Sequence, residues 1–144
     1  LILLLKPFRV GDYIITAGAE GTVMSIDIFY TRIATTDNKV VVIPNGTISN
    51  SNVTNTTKQD ERMLVLEFTV SLDANIEEVK TEIMKLIESN ERILHEMNRC
   101  VVVDKLTPVN IKMQAKAWTK SEDYWDVKYL LLEQISIVLQ GFRG

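Results

Sequence analysis

The chain has 144 residues, 46% of them hydrophobic and 24% charged, with a formal net charge of −3. That length holds one ordinary domain or two small ones, and the apolar share is enough for a packed core. The acidic balance speaks against a nucleic-acid partner, whose phosphates are met by lysine and arginine.

Residues 1–57 carry four basic and four acidic side chains and residues 58–144 carry twelve and fifteen, so neither half is a basic platform. A single cysteine, Cys100, and a single histidine, His95, exclude an internal disulfide and a zinc site built from Cys and His alone. Cys100 begins the run Cys-Val-Val-Val and reads as a small buried hydrophobe. His95 follows a helical pattern, has no titratable partner at a useful spacing, and reads as a solvated side chain.

In chain order, the first element is the apolar run Leu1, Ile2, Leu3, Leu4 and Leu5, stopped by Lys6 and Pro7. It is far short of the ~20 residues of a membrane-spanning helix, and it lacks the layout of a signal peptide. Two readings stay open: the tail of a helix whose body lies upstream, or a buried segment that caps a domain. Lys6 and Arg9 fit the first, since basic residues gather at the cytoplasmic end of membrane helices. That reading places the body of the helix upstream of Leu1.

From Gly11 the pattern turns to β. Tyr13 to Thr16 is a short strand, residues 17–21 supply a flexible turn, and strands follow over Thr22 to Phe29, Tyr30 to Thr36 and Lys39 to Ile43, with a turn at Asp37-Asn38. Pro44-Asn45-Gly46 ends the last of these, and Thr47 to Thr54 reads as a further, largely polar strand. No helix is expected in this half. Short strands joined by tight turns indicate a small curled sheet of the SH3-like or Sm-like kind. The polar stretch 56–62 marks a domain boundary.

Beyond it, Leu64, Leu66, Phe68 and Val70 alternate with Met63, Val65, Glu67 and Thr69, the period-two pattern of a strand. Asn75 is placed to cap a helix whose stripe is Ile76, Val79, Ile83, Leu86 and Ile87, with Glu78 completing a capping box. Cys100 to Leu106 and Val109 to Trp118 read as strands, the second with one wet face. A long helix after Ser121-Glu122-Asp123 carries Tyr124, Val127, Leu131, Ile135 and Val138 inward. The order β-α-β-β-α is the ferredoxin-like split βαβ unit without its final strand, which Phe142 would begin. The fold class expected is thus β plus α+β: an SH3/Sm-like β-barrel domain followed by a ferredoxin-like α/β sandwich domain.

No catalytic motif is present. Glu77, Glu78, Glu82, Glu88 and Glu91 form a solvated helix face rather than an acid–base pair, because catalytic carboxylates need partly desolvated sites. The sequons at Asn45, Asn52 and Asn55 are chance matches in an Asn/Thr-rich stretch. Trp118 and Trp125 read as packing or intersubunit contacts rather than a base-stacking platform. The chain is therefore not expected to be an enzyme, and no cofactor or metal is implied.

Lys6-Pro7-Phe8-Arg9-Val10-Gly11-Asp12-Tyr13, Glu20-Gly21-Thr22-Val23, Thr31-Arg32-Ile33 and above all Val42-Ile43-Pro44-Asn45-Gly46 resemble, in wording, order and spacing, the cytoplasmic region of the small-conductance mechanosensitive channel (MscS-type) family. The resemblance is specific from Pro7 to Asn55 and one of pattern from Arg62 to Leu139. It implies a bacterial inner-membrane channel that opens under membrane tension and releases ions and small osmolytes in hypo-osmotic shock. It also implies a homo-oligomer, usually a heptamer, whose soluble parts form a cage with side portals beneath the pore.

Carried onto this chain, residues 1–6 would end the pore-lining helix, 7–57 would be the β-domain and 58–144 the lower α+β domain. Pro7, Phe8, Gly11, Asp12, Gly21, Pro44, Asn45 and Gly46 would be structural motif residues, with Leu1, Ile2, Leu3, Leu4, Leu5 and Lys6 next to the membrane. The family's apolar, Pro-containing final strand is not reached at Gly141-Phe142-Arg143-Gly144. The alternative reading is a free-standing Sm-like/ferredoxin-like module that binds RNA or a small ligand; the acidic charge counts against RNA.

Overall fold

The computed structural model describes residues 7–142, so the expectations for Leu1 to Lys6 and for Arg143 and Gly144 lie outside the described residues. The chain divides into two compact units, Leu1–Gln59 and Asp60–Gly144.

The first unit holds β1 (Tyr13–Thr16), β2 (Ala19–Ile26), β3 (Tyr30–Ala34), β4 (Val40–Pro44), a short helix α1 (Asn45–Ser49) and β5 (Thr54–Asn55). The first four strands form an antiparallel meander, and β5 returns to the far side of β1, giving the order β4-β3-β2-β1-β5 of a small SH3/Sm-like sheet. Every second residue points inward: Ile14, Val23, Ile33 and Ile43 make a core completed by Phe8 and Ile48. Ala17 and Gly18, both at positive φ, form the two-residue turn that matches strand twist in a hairpin, so β2 resumes at Ala19, earlier than the composition of residues 17–21 suggests. Gly21 is buried in β2 where a Cβ would run into the Ala34 carbonyl oxygen.

The second unit holds β6 (Glu61–Val70), α2 (Ile76–Ser89), β7 (Cys100–Leu106), β8 (Ile111–Lys120), a single 3₁₀ turn (Ser121–Asp123) and α3 (Tyr124–Gln140). Its sheet order is β6-β8-β7, with both pairs antiparallel, as the split βαβ topology requires. Leu64, Leu66, Met113, Ala115 and Ala117 face the helices and pack on Val79, Ile83 and Ile87 of α2 and on Tyr124, Val127, Leu131 and Ile135 of α3. Asn75 Oδ1 accepts from the Glu78 N–H at 3.2 Å and closes the start of α2.

Several expectations are corrected. Thr47 to Thr54 is not a strand: residues 45–49 are helical, and only Thr54 and Asn55 pair in a sheet. The polar side chains that looked like a strand's wet face close the turns instead. Ser49 Oγ donates to the Asn45 carbonyl, Asn50 Nδ2 to Gly46 and Ser51 Oγ to Thr47, while Ile48 anchors the segment in the core. The strand expected to reach Phe29 ends at Ile26, because Asp27 to Phe29 form the β2–β3 turn. Val109 is exposed in the turn before β8, and Phe142 lies in a turn packed on the second core rather than opening a strand.

Cys100 is half-buried, not buried. His95 does have a titratable partner: Glu88 Oε2 lies 3.5 Å from Nδ1, on a carboxylate that Arg99 grips through Nε and Nη2. Glu88 is thus bonded across eleven residues to the segment before β7, rather than standing as one more solvated charge.

Candidate functional site

Two polar clusters fix the geometry of the β-unit. The first is the corner at Pro44-Asn45-Gly46. Pro44, at φ −61° and ψ 133°, ends β4 in extended geometry, and Asn45 opens α1 with an N–H that has no partner inside its own helix. That N–H donates to the Phe29 carbonyl at 2.8 Å. The buried Asn45 side chain donates through Nδ2 to the carbonyls of Asp27 (2.7 Å) and Ile28 (3.0 Å) and accepts from Thr31 Oγ1 at 2.7 Å. One asparagine therefore bonds three successive carbonyls of the β2–β3 turn. The turn carries Ile28 and Phe29 outward, 76% and 74% exposed, and the Arg32–Asp27 ion pair braces it. Gly46 has neither a positive φ nor an atom within 4 Å of an added Cβ.

The second cluster joins the start of the unit to its end. Phe8 is buried in the β core, and Gly11, at φ +98°, turns the chain so that the Asp12 carboxylate folds back on Arg9 and across to Asn55. Asp12 Oδ2 accepts from the Arg9 N–H (2.9 Å) and from Asn55 Nδ2 (2.9 Å), and Thr57 Oγ1 lies 3.3 Å from Oδ1. Asn55 Nδ2 also donates to the Pro7 carbonyl at 3.2 Å, so both amide hydrogens are used across the junction. Asn55 Oδ1 accepts from the N–H groups of Thr57 (3.1 Å) and Lys58 (3.0 Å). Partial burial opposes ionisation of Asp12, but the bonds from Asn55, the Arg9 N–H and Thr57 outweigh it and hold the carboxyl below its ordinary value.

Of the eight motif residues, Pro7, Gly11 and Asp12 meet in or beside the second cluster, and Pro44 and Asn45 form the first. Phe8 belongs to the core, Gly21 to the close approach of β2 and β3, and Gly46 accepts from Asn50 Nδ2 through its carbonyl while open space lies where a Cβ would stand. Asn55 and Thr57 were missed as partners of Asp12: they lie 43 and 45 residues away, and only their short polar side chains beside a β-rich run signal such a use.

Trp118 and Trp125 do not form a stacking platform. Trp118 is half-buried on β8, whereas Trp125 on α3 sits against Tyr129 and beneath Lys128, whose Nζ is 5.1 Å from its ring. Arg62 stacks on Tyr124 at 3.5 Å, so the local cations are occupied by aromatic faces of the same unit. Among the described residues there is no group of three His, Cys, Asp or Glu that could hold a metal, and no helix long and apolar enough to cross a membrane.

Comparison with known proteins gives this scaffold relatives. A family model described as "Mechanosensitive ion channel, beta-domain" matches residues 1–58, and one described as "Mechanosensitive ion channel MscS, C-terminal" matches residues 64–140. A small-conductance mechanosensitive channel of Edwardsiella ictaluri is 32% identical over 141 residues, 98% of this chain and 49% of the relative. The crystal structure of Helicobacter pylori MscS in its closed state superposes with a TM-score of 0.86 at 28% identity, over 97% of this chain and 56% of that one. Arabidopsis thaliana MSL1, at 16% identity and a TM-score of 0.73 over 97% of this chain and 53% of that one, shares the fold. The chain spans about half the length of the curated relatives it matches. These relatives lend nothing to an RNA- or ligand-binding module, and their family is one of ion channels rather than enzymes. On the match of the C-terminal model to more than half of its residues, the chain belongs to the MscS family of mechanosensitive ion channels.

Proposed function

We propose that this chain is the cytoplasmic cage portion of a tension-gated channel in a bacterial inner membrane, with residues 1–6 ending a pore-lining helix, 7–57 forming the β-domain and 58–144 the lower cage. The observation that carries the reading is the order of the two units: an SH3/Sm-like sheet followed by a split βαβ sandwich, each matched in turn by the model for that part of the family's channels. In the whole protein the reading assigns a homo-oligomer, a heptamer by family resemblance, attached to the membrane through helices upstream.

The mechanism needs no catalytic group. Tension favours the state with the larger membrane area and so shifts a closed–open equilibrium, as a ligand with differential affinity would. The units described here act as scaffold and sieve for ions and small osmolytes, with charges near the openings biasing which ions enter. The β-unit supports assembly by its surface: Met24, Ile28, Phe29, Tyr30, Val40 and Val42 are all large, apolar and exposed, more than a free-standing unit of this size leaves uncovered.

The test is survival of hypo-osmotic shock. Cells lacking their own tension-gated channels should survive the shock when they express the full-length protein. Survival no better than with an empty vector, with the protein present in the membrane, would reject the reading.

A further inference from the structure

The Asp12–Asn55 cluster lies where a tension-gated protein would have to carry load. The chain comes into the β-unit at Pro7 and leaves it at Lys58. Between these points the covalent path runs through every strand of the sheet, but the two ends also meet directly. Asn55 Nδ2 bridges to the Pro7 carbonyl, 48 residues away, and to Asp12 Oδ2. The Tyr13 N–H donates to Thr57 Oγ1 at 3.0 Å, and the Thr56 N–H donates to the Tyr13 carbonyl at 3.1 Å. The Thr57 hydroxyl, with one hydrogen to give, lies within reach of both Asp12 Oδ1 and Asn55 Oδ1.

Both sides of this junction are held in place. Phe8 is buried in the core just after Pro7, and β5 is paired to β1 at Ile14↔Asn55 and Ile15↔Thr54. Two paired residues are a short ladder, so much of the hold between the arriving and departing chain rests on side chains, among them charge-assisted bonds to the Asp12 carboxylate.

We infer that Asp12 and Asn55 form a joint that passes displacement of the chain at Pro7 straight to the chain leaving at Lys58, and that both are positioning residues for gating. The inference rests on the channel reading above. With the joint intact, movement of the chain at Pro7 must carry the chain from Asn55 to Lys58 with it, which adds to the cost of opening; a loosened joint absorbs the movement and the channel opens more readily.

The experiment uses the full-length protein in excised membrane patches under a pressure ramp. Asn55→Asp sets a carboxylate against Asp12 and the Pro7 carbonyl and should raise the open–closed equilibrium constant at the wild type's midpoint tension roughly tenfold, equivalent to about 1.4 kcal/mol. Asp12→Asn combined with Asn55→Asp restores a donor–acceptor pair and should bring the midpoint back toward wild type. Thr57→Val, a milder cut, should shift it the same way by less.

Asn75→Ala, which destabilises the second unit outside the joint, should leave the midpoint unchanged. Amide exchange keeps folding separate from coupling: in Asn55→Asp the Thr56 amide, which bonds the Tyr13 carbonyl across the joint, should exchange faster while amides of β3 and β4 stay protected. If β3 and β4 open as well, Thr57→Val decides the matter. An unchanged midpoint in both Asn55→Asp and Thr57→Val, no recovery in the swapped pair, or an equal shift in Asn75→Ala overturns the joint while leaving the channel standing. A wild-type protein that is silent under tension overturns both.

Discussion

Replacing Asn45 by alanine should cost the β-unit far more than its place in a surface corner suggests. The change removes three side-chain hydrogen bonds: two to the carbonyls of Asp27 and Ile28, and one from Thr31 Oγ1. Thr31 is fully buried, so its hydroxyl is left without that partner and without water, at about 1–3 kcal/mol. The two carbonyls lie in a half-buried site that water can reach, and each lost bond there is worth about 0.5–1.5 kcal/mol. The sum is about 2–6 kcal/mol, centred near 4 kcal/mol. At roughly 0.05–0.15 kcal/mol per residue, a unit of this size has at most ~9 kcal/mol to lose.

Both tryptophans lie in the second unit and do not report this loss. Amide exchange of residues 30–34 and 40–43 does, and protection there should fall roughly a thousandfold, as ~4 kcal/mol implies. Asn45→Asp should be at least as damaging, because it keeps an acceptor for Thr31 but turns a carboxylate oxygen toward two carbonyls. Gly46→Ala in the isolated chain should change stability by less than ~0.5 kcal/mol, since its backbone is ordinary and its Cβ would enter open space. A loss below ~1 kcal/mol in Asn45→Ala, or a Gly46→Ala effect of equal size, would refute the reasoning.

Three further outcomes follow from the same geometry. Gly21→Ala drives a Cβ into the Ala34 carbonyl and should destabilise the first unit by about 1–3 kcal/mol in exchange measurements, with β2 and β3 losing protection together. Asn75→Ala removes the cap on α2 and should cost the second unit about 1 kcal/mol of stability, read as a lower urea midpoint in tryptophan fluorescence.

Acid titration gives the third. Asp12 is held low for the reasons given above, Asp37 by the Thr35 hydroxyl and Lys39, and Glu88 by the hydrogen bonds of Arg99, with burial opposing and the charges of Arg99 and His95 assisting. Each folded-state value lies below the unfolded one, so the stability these groups add is complete above the ordinary carboxylate range and is lost as pH falls below about 4. Asp12→Asn should flatten this fall in the first unit and leave it intact in the second.

Much of the fold was legible where local pattern and burial agree. The alternation of Leu64, Leu66 and Val70, the spacing of Val79, Ile83 and Ile87, and the cap at Asn75 each specify their element by rules that span a few residues. Residues 45–55 were misread because Ser, Thr and Asn serve two ends equally well: they face water from a strand, or they bond the carbonyls of a short helix, and only the burial of Ile48 separates the two. The candidate site was half legible. Pro44-Asn45-Gly46 could be located, but not the use of Asn45 as a clamp on the β2–β3 turn. Asp12–Asn55 and Glu88–Arg99 are contacts across sequence, and nothing in the spacing of Asp12 and Asn55 marks them as partners before the sheet brings β5 beside β1.

The central claim is most directly tested by current. Excised patches from cells without endogenous tension-gated channels, expressing the full-length protein, should show unitary currents that appear as suction rises and vanish on release. Patches that contain the protein and stay silent up to the tension at which the membrane breaks would contradict the account.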